Sequence, residues 1–123
     1  MLKLCRVDIE RSQEIYATID RYVAHVVDKL HPRQVILFGS FATGDIHEGS
    51  DVDICVVAEF KEEFLDRMKI LMDLNDLGLP LEPVGYTPSE FENMKEGGNS
   101  FIREVVEKGK VLYEAQCHGN VGA

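Results

Sequence analysis

Early in the chain the apolar residues Ile15, Ile19, Tyr22, Val23, Val26, Val27 and Leu30 recur at steps of three and four. That spacing predicts one amphipathic helix over 12–30, which Pro32 ends. The pattern then tightens. Residues 33–38 run through Val35, Ile36, Leu37 and Phe38 to Gly39, a short buried strand rich in β-branched and aromatic side chains. The stretch 39–50 carries Gly39, Gly44 and Gly49 and reads as a loop with room for one helical turn at its start. Residues 51–58 alternate at first and then stay apolar, a strand whose start lines a cleft and whose end enters the core.

A second helical stripe covers 61–77, with Phe64, Leu65, Met68, Leu71, Met72 and Leu74 facing inward and Gly78 placed to cap it. Residues 81–86 form a third strand, and Pro83 assigns it to a sheet edge, because proline cannot donate to a ladder. Thr87-Pro88-Ser89-Glu90 has the form of a capping box with proline at the first helical position. The helix it starts breaks at Gly97-Gly98. Another helix is predicted over 100–108, stopped by Gly109, with a last strand over 110–113. Strands alternate with helices, so the chain is an α/β or α+β domain built on one small sheet.

With 123 residues, the chain has room for one domain, assigned to 1–114, and none for a second carrying its own substrate pocket. The segment 115–123 lacks periodicity and is expected to be a mobile tail. Apolar residues at 45% and charged ones at 28% suit a folded globular protein and exclude a disordered one. No run is long enough to span a membrane, and the opening residues turn charged too soon for a signal peptide, so a cytoplasmic location is expected. Cys5, Cys55 and Cys117 match neither a disulfide framework nor a zinc knuckle. The formal net charge of −9 argues against broad nucleic-acid binding, which draws its affinity from cations. A nucleotide would need metal ions to approach such a surface.

Candidate chemistry gathers where Gly39-Ser40 is followed, after ten intervening residues, by Asp51-Val52-Asp53. Residues two apart in a strand face the same way, so the two carboxylates project side by side and repel each other. Divalent cations relieve that repulsion. Hard oxygen ligands suit Mg²⁺, which takes one or two carboxylates plus water and phosphate oxygens. The strand over 33–38 delivers Gly39 and Ser40 to the same end of the sheet. There a bare backbone and a hydroxyl could bond phosphate oxygens. Ser50 could add a bond to a phosphate, although just before Asp51 it equally has the position of a turn-fixing hydroxyl. An acidic strand start after a Gly-Ser turn is also common on solvated surfaces, and Asp-x-Asp alone is a weak signal.

Leu37-Phe38-Gly39-Ser40-Phe41-Ala42-Thr43-Gly44, followed by Gly49-Ser50-Asp51-Val52-Asp53-Ile54-Cys55-Val56-Val57, resembles the signature of the DNA polymerase beta-like nucleotidyltransferase superfamily. The stand-alone minimal members are the most similar, and the likeness runs from the leading helix to Tyr113. The resemblance implies a small mixed sheet with helices packed on one face and a metal site open on the other. It implies two Mg²⁺ ions bridged by Asp51 and Asp53, with Glu82 as third carboxylate and candidate proton acceptor. A glutamate followed by proline departs from the commoner aspartate in an uninterrupted strand. The implied reaction moves a nucleoside monophosphate, AMP from ATP, onto a hydroxyl. The implied partner is a helical HEPN-type protein in a toxin–antitoxin module, and a homo-oligomer is left open. The rival is a binding module that docks its partner sterically, or binds nucleotide without transfer.

Other residues read as structural. His25 and His31 lack metal spacing, His47 stands alone in its loop, and Arg103 is placed to pair with Glu107 at i,i+4. Tyr86 is expected to pack, with a possible place at the border of a base pocket.

Overall fold

The computed structural model describes residues 9–46 and 49–115; His47, Cys5, Cys117 and the segment 116–123 lie outside the described residues. The first stripe closes into a single long helix, α1 (Ile9–Leu30), with Ile19, Tyr22, Val23 and Val26 buried. His31, at φ 48, and Pro32 turn the chain out of it. There follow β1 (Gln34–Phe38), α2 (Ser40–Thr43), β2 (Val52–Val57), α3 (Phe64–Asp73), β3 (Leu81–Tyr86), α4 (Pro88–Glu96), α5 (Ser100–Lys108) and β4 (Lys110–Glu114).

The four strands form one mixed sheet in the order β3-β2-β1-β4. β2 and β3 are parallel, with α3 making the crossover that parallel strands require, while β1 pairs antiparallel with β2 and β4. β3 is an edge strand, which is where Pro83 belongs.

Helices cover both faces of the sheet, not one. Val35, Leu37, Ile54 and Val56 pack with α1, with Phe41 of α2 and with Leu71 of α3. On the reverse, Ile36, Cys55 and Val57 pack with Phe91 of α4 and with Ile102 and Val105 of α5. The reason lies in β2, where Ile54, Cys55, Val56 and Val57 are all buried: a strand apolar on successive residues needs cover on each side. Phe38, Asp53 and Glu82 line a hollow at one end of this second face.

α3 is shorter than its apolar stripe suggests, and it faces differently. It ends at Leu74, and not at Gly78, because the Asn75 side chain donates to Leu79 O (2.9 Å) and accepts from Leu79 N (3.2 Å), folding the chain back. Leu65 and Met72, expected inward, are 75% and 45% exposed. The buried positions of α3 belong to Leu71 and to Arg67.

A charge can occupy that core position because its donors are satisfied. Arg67 Nη1 and Nη2 donate to the two Glu90 carboxylate oxygens at 2.7 and 3.2 Å. Nη1 also reaches Gly85 O (3.2 Å), and Nε donates to Glu62 O (2.7 Å). Glu90 simultaneously closes the capping box, accepting from Thr87 N at 2.9 Å while its own N donates to Thr87 Oγ1 at 3.2 Å. One bidentate pair therefore joins α3, β3 and α4.

Glu90 is 43% exposed, so water can partly solvate its carboxylate once Arg67 is gone. Arg67→Ala is expected to lower unfolding stability by about 2 kcal/mol, the scale of hydrogen bonds to a charged group, read from urea denaturation at neutral pH. The Arg67 hydrogen bonds, with those from Thr87, hold the Glu90 carboxyl below its usual range. A depressed folded pKa stabilises above the unfolded value and loses that effect as pH falls through the folded one. The stability gap between wild type and Glu90→Gln should therefore close below about pH 4. A gap that persists in acid, or a cost under about 1 kcal/mol for Arg67→Ala, would contradict the cross-link.

Candidate active site

The sheet register lines up three residues at the open end. Asp53 of β2 lies opposite Phe38 on β1 and beside Glu82 on β3, and alternation turns it to the same face as Cys55 and Val57. Asp51, exposed, immediately precedes the strand. Asp53 is half-buried, and its carboxyl is pushed up to about 6, first by desolvation, then by the charges of Glu82 and Asp51. Among the described residues, none of these three acids forms an ion pair. Among the described residues, the site thus holds like charges that no cation at ion-pair distance offsets.

Gly39 makes this crowding sterically possible. With φ 76 it occupies the left-handed region, and a Cβ there would overlap Asp53 Oδ2 and stand 3.1 Å from Asp53 Cγ. From Gly39 the chain turns directly into α2: Gly39 O accepts from Ala42 N (3.0 Å) and Thr43 N (3.2 Å), and Ser40 O accepts from Gly44 N (2.8 Å). α1 fixes this turn from behind, because the Tyr16 hydroxyl donates to Phe41 O at 2.6 Å and its ring meets Phe41 edge-on at 5.8 Å. Ser40 is half-buried, and among the described residues its hydroxyl bonds no other group.

The donor set consists of carboxylate oxygens, the hard ligands that suit a divalent cation. Among the described residues no group of three or more acidic, histidine or cysteine side chains closes around one point.

Asp51, Asp53, Glu82 and Gly39 therefore come together, and Ser40 stands one residue further on. Ser50 is half-buried in the loop just before Asp51. Arg103 pairs with Glu107 at 3.6 Å along α5, and His25 lies 3.8 Å from Asp76. Tyr86 sits at the far end of β3 and packs on Phe64 at 5.7 Å, so it does not border the acids. Sequence patterning missed the wall beside them, formed by Met68, Met72, Phe38 and Phe101; the two methionines carried a signal, but it read as core.

The family model "Polymerase beta, Nucleotidyltransferase" matches residues 22–117. The chain belongs to this family. A relative from Methanocaldococcus jannaschii (strain ATCC 43067 / DSM 2661 / JAL-1 / JCM 10045 / NBRC 100440), described as putative protein adenylyltransferase MJ0604, is 34% identical over 83 residues, 66% of this chain and 78% of the relative. Among solved structures, a putative nucleotidyltransferase from Sulfolobus solfataricus superimposes with a TM-score of 0.65 at 19% identity, over 89% of this chain and 88% of that one. A toxin–antitoxin structure with AMP-PNP superimposes with a TM-score of 0.58 at 23% identity, over 79% of this chain and 74% of that one. At those identities the likeness is one of fold. The chain is thus a nucleotidyltransferase with a mixed four-stranded sheet and five helices, and no helix among the described residues is long and apolar enough to cross a membrane.

The contact between Gly39 and Asp53 can be measured in this nucleotidyltransferase without any ligand. Gly39→Ala is expected to cost about 2 kcal/mol in chemical denaturation, combining backbone strain with displacement of the Asp53 carboxylate. In an Asp53→Ala background only the strain remains, and the cost should fall to about 1 kcal/mol. Equal costs in the two backgrounds would mean that the carboxylate does not rest on Gly39.

Proposed function

We propose that this nucleotidyltransferase moves AMP from ATP onto a hydroxyl of a partner protein. The observation that carries the proposal is the uncompensated acid cluster: Asp53 crowded by Glu82 and Asp51 directly above a glycine whose missing side chain leaves room for it. Such crowding costs stability unless cations arrive with the substrate.

Asp51 and Asp53 would hold the two Mg²⁺ ions, with Glu82 as third carboxylate. When bound, the ions lower the acceptor's pKa and neutralise charge on the phosphates. The Gly39 backbone and the Ser40 hydroxyl bind the β- and γ-phosphates, and Ser50 is the secondary candidate for such a bond. Their work is positioning, which phosphoryl transfer chiefly requires. Glu82 takes the proton from the acceptor hydroxyl. The acceptor oxygen bonds to the α-phosphorus, the bond to the bridging oxygen breaks, and pyrophosphate leaves with the electron pair.

The acceptor must bring its own binding surface, since the site is open and the chain carries −9 formal charge, which disfavours a nucleic acid. The toxin–antitoxin neighbour with AMP-PNP and the M. jannaschii relative's description as a protein adenylyltransferase support a protein acceptor. We assign it to a helical HEPN-type toxin, with a tyrosine as target. A phenol, with a pKa near 10, can be brought toward phenolate at neutral pH. The steric alternative, docking without transfer, draws on Glu82 being exposed and followed by Pro83.

Calorimetry with ATP should give tight binding with Mg²⁺ and at least about tenfold weaker binding in EDTA or in Asp53→Ala, since that carboxylate would hold metal. Glu82→Gln should keep ATP affinity and slow transfer by about a hundredfold, the usual scale of a lost proton acceptor. Transfer is read by intact mass after incubation with a HEPN-type candidate partner, ATP and Mg²⁺. One added AMP that disappears with Asp53→Ala is the expected result; a stable complex with no mass gain would favour steric docking.

A further inference from the structure

The turn that presents Gly39 and Ser40 has little of its own to hold it. α2 is a single turn of four residues, set between Gly39 at φ 76 and Gly44 at φ 88, so both of its ends rest on residues with wide backbone freedom. No side chain caps its start. A helix this short is unstable alone, because closing one turn orders several residues for very few hydrogen bonds. The turn ends quickly: Asp45 N donates to Thr43 Oγ1 (3.4 Å), and among the described residues the Phe41 carbonyl is left without a backbone donor. Burial of Phe41 and Ala42 holds α2 against the core, but apolar contact is non-directional.

Direction comes from α1. The Tyr16 hydroxyl donates to that orphaned Phe41 carbonyl at 2.6 Å. Among the described residues this is the one hydrogen bond that reaches α2 from another element. Burial raises the pKa of the phenol above its ordinary value, so the group remains a donor at neutral pH. Its ring meets Phe41 edge-on, which fixes the approach as well as the distance. The same helix is itself anchored, since the Tyr22 hydroxyl donates to Leu71 O of α3 at 2.7 Å.

We propose that Tyr16 is a positioning residue of the transferase, whose hydroxyl sets the α2 turn so that the Gly39 backbone and the Ser40 hydroxyl meet the phosphates of ATP already in place. This rests on the reading of that turn as the phosphate-binding element. Tyr16 touches no reactant and acts through Phe41. Donors ordered before the nucleotide arrives bind it without a further ordering cost.

The test compares two variants, each of which removes one α1 hydroxyl and keeps the ring. Tyr16→Phe releases the Phe41 carbonyl, and Tyr22→Phe releases the Leu71 carbonyl away from the turn. Calorimetry with ATP and Mg²⁺ should show about fivefold weaker binding for Tyr16→Phe, the worth of one hydrogen bond. Tyr22→Phe should bind within about twofold of wild type, although urea denaturation should find it the less stable variant, because the bond it loses is buried. In AMP transfer Tyr16→Phe should raise the KM for ATP by the same factor with turnover within about twofold. Amide hydrogen exchange, which needs no ligand, should quicken at Ala42, Thr43 and Gly44 in Tyr16→Phe and not in Tyr22→Phe.

Equal weakening of ATP binding in the two variants would mark a general loss of stability and overturn the proposal. Ser40→Ala reports separately on the phosphate reading. If Ser40→Ala weakens ATP binding and Tyr16→Phe does not, the positioning role alone has failed. If exchange quickens in Tyr16→Phe while ATP affinity holds in both Tyr16→Phe and Ser40→Ala, the phosphate reading has failed and takes the proposal with it.

Discussion

The repulsion among Asp53, Glu82 and Asp51 is the constraint on which the rest of the site depends. Two strands in parallel register put Asp53 and Glu82 side by side, and Gly39 beneath them leaves no Cβ to force the carboxylate away. A half-buried carboxyl raised to about 6 by burial and by like charge is a poor way to stabilise a fold. It makes physical sense if the missing counter-charge is supplied with the substrate. On the proposed reading, metal ions and triphosphate would bind as one neutralising unit at carboxylates that the sheet register sets side by side.

The molecule handles its other buried charge in the opposite way. Arg67 is 7% exposed, yet two Glu90 oxygens and two backbone carbonyls meet its donors. That pair lies toward the Tyr86 end of β3 and joins three elements, whereas the acids lie toward the Glu82 end of the same strand. One end of β3 is thus satisfied internally and rigid, and the other is left electrostatically open. Gly85 contributes to the closed end, because a Cβ there would come within 2.8 Å of the Phe60 ring, over which the Arg67 guanidinium lies at 5.5 Å.

Local signals in the sequence were legible where local chemistry decides. The stripe of α1, the strand 81–86 and the Thr87–Glu90 capping box all reappear, the box with both of its reciprocal bonds. The proximity of Asp51 and Asp53 follows from strand alternation, and their approach to Gly39 from the motif's two halves. What eluded the sequence was long-range. No local signal marks Arg67 for burial, because the partner that satisfies it, Glu90, stands 23 residues on. Once Arg67 holds an inward position of α3, part of the apolar stripe must turn outward, which is why Met72 lines a hollow and not the core. Cover on both faces of the sheet was likewise implicit in the unbroken apolar run 54–57, but periodicity alone does not say which helix provides it.

The charge state of Asp53 is the most direct measure of this account. Carbon-13 NMR of its carboxyl, titrated first in metal-free buffer and then with saturating Mg²⁺ and a non-hydrolysable ATP analogue, reads the crowding and its relief together. The account predicts a metal-free midpoint at about 6 that falls below the ordinary aspartate value of about 4 once cations and phosphates are bound. A metal-free midpoint already near that ordinary value, unmoved by Mg²⁺ and nucleotide, would contradict it.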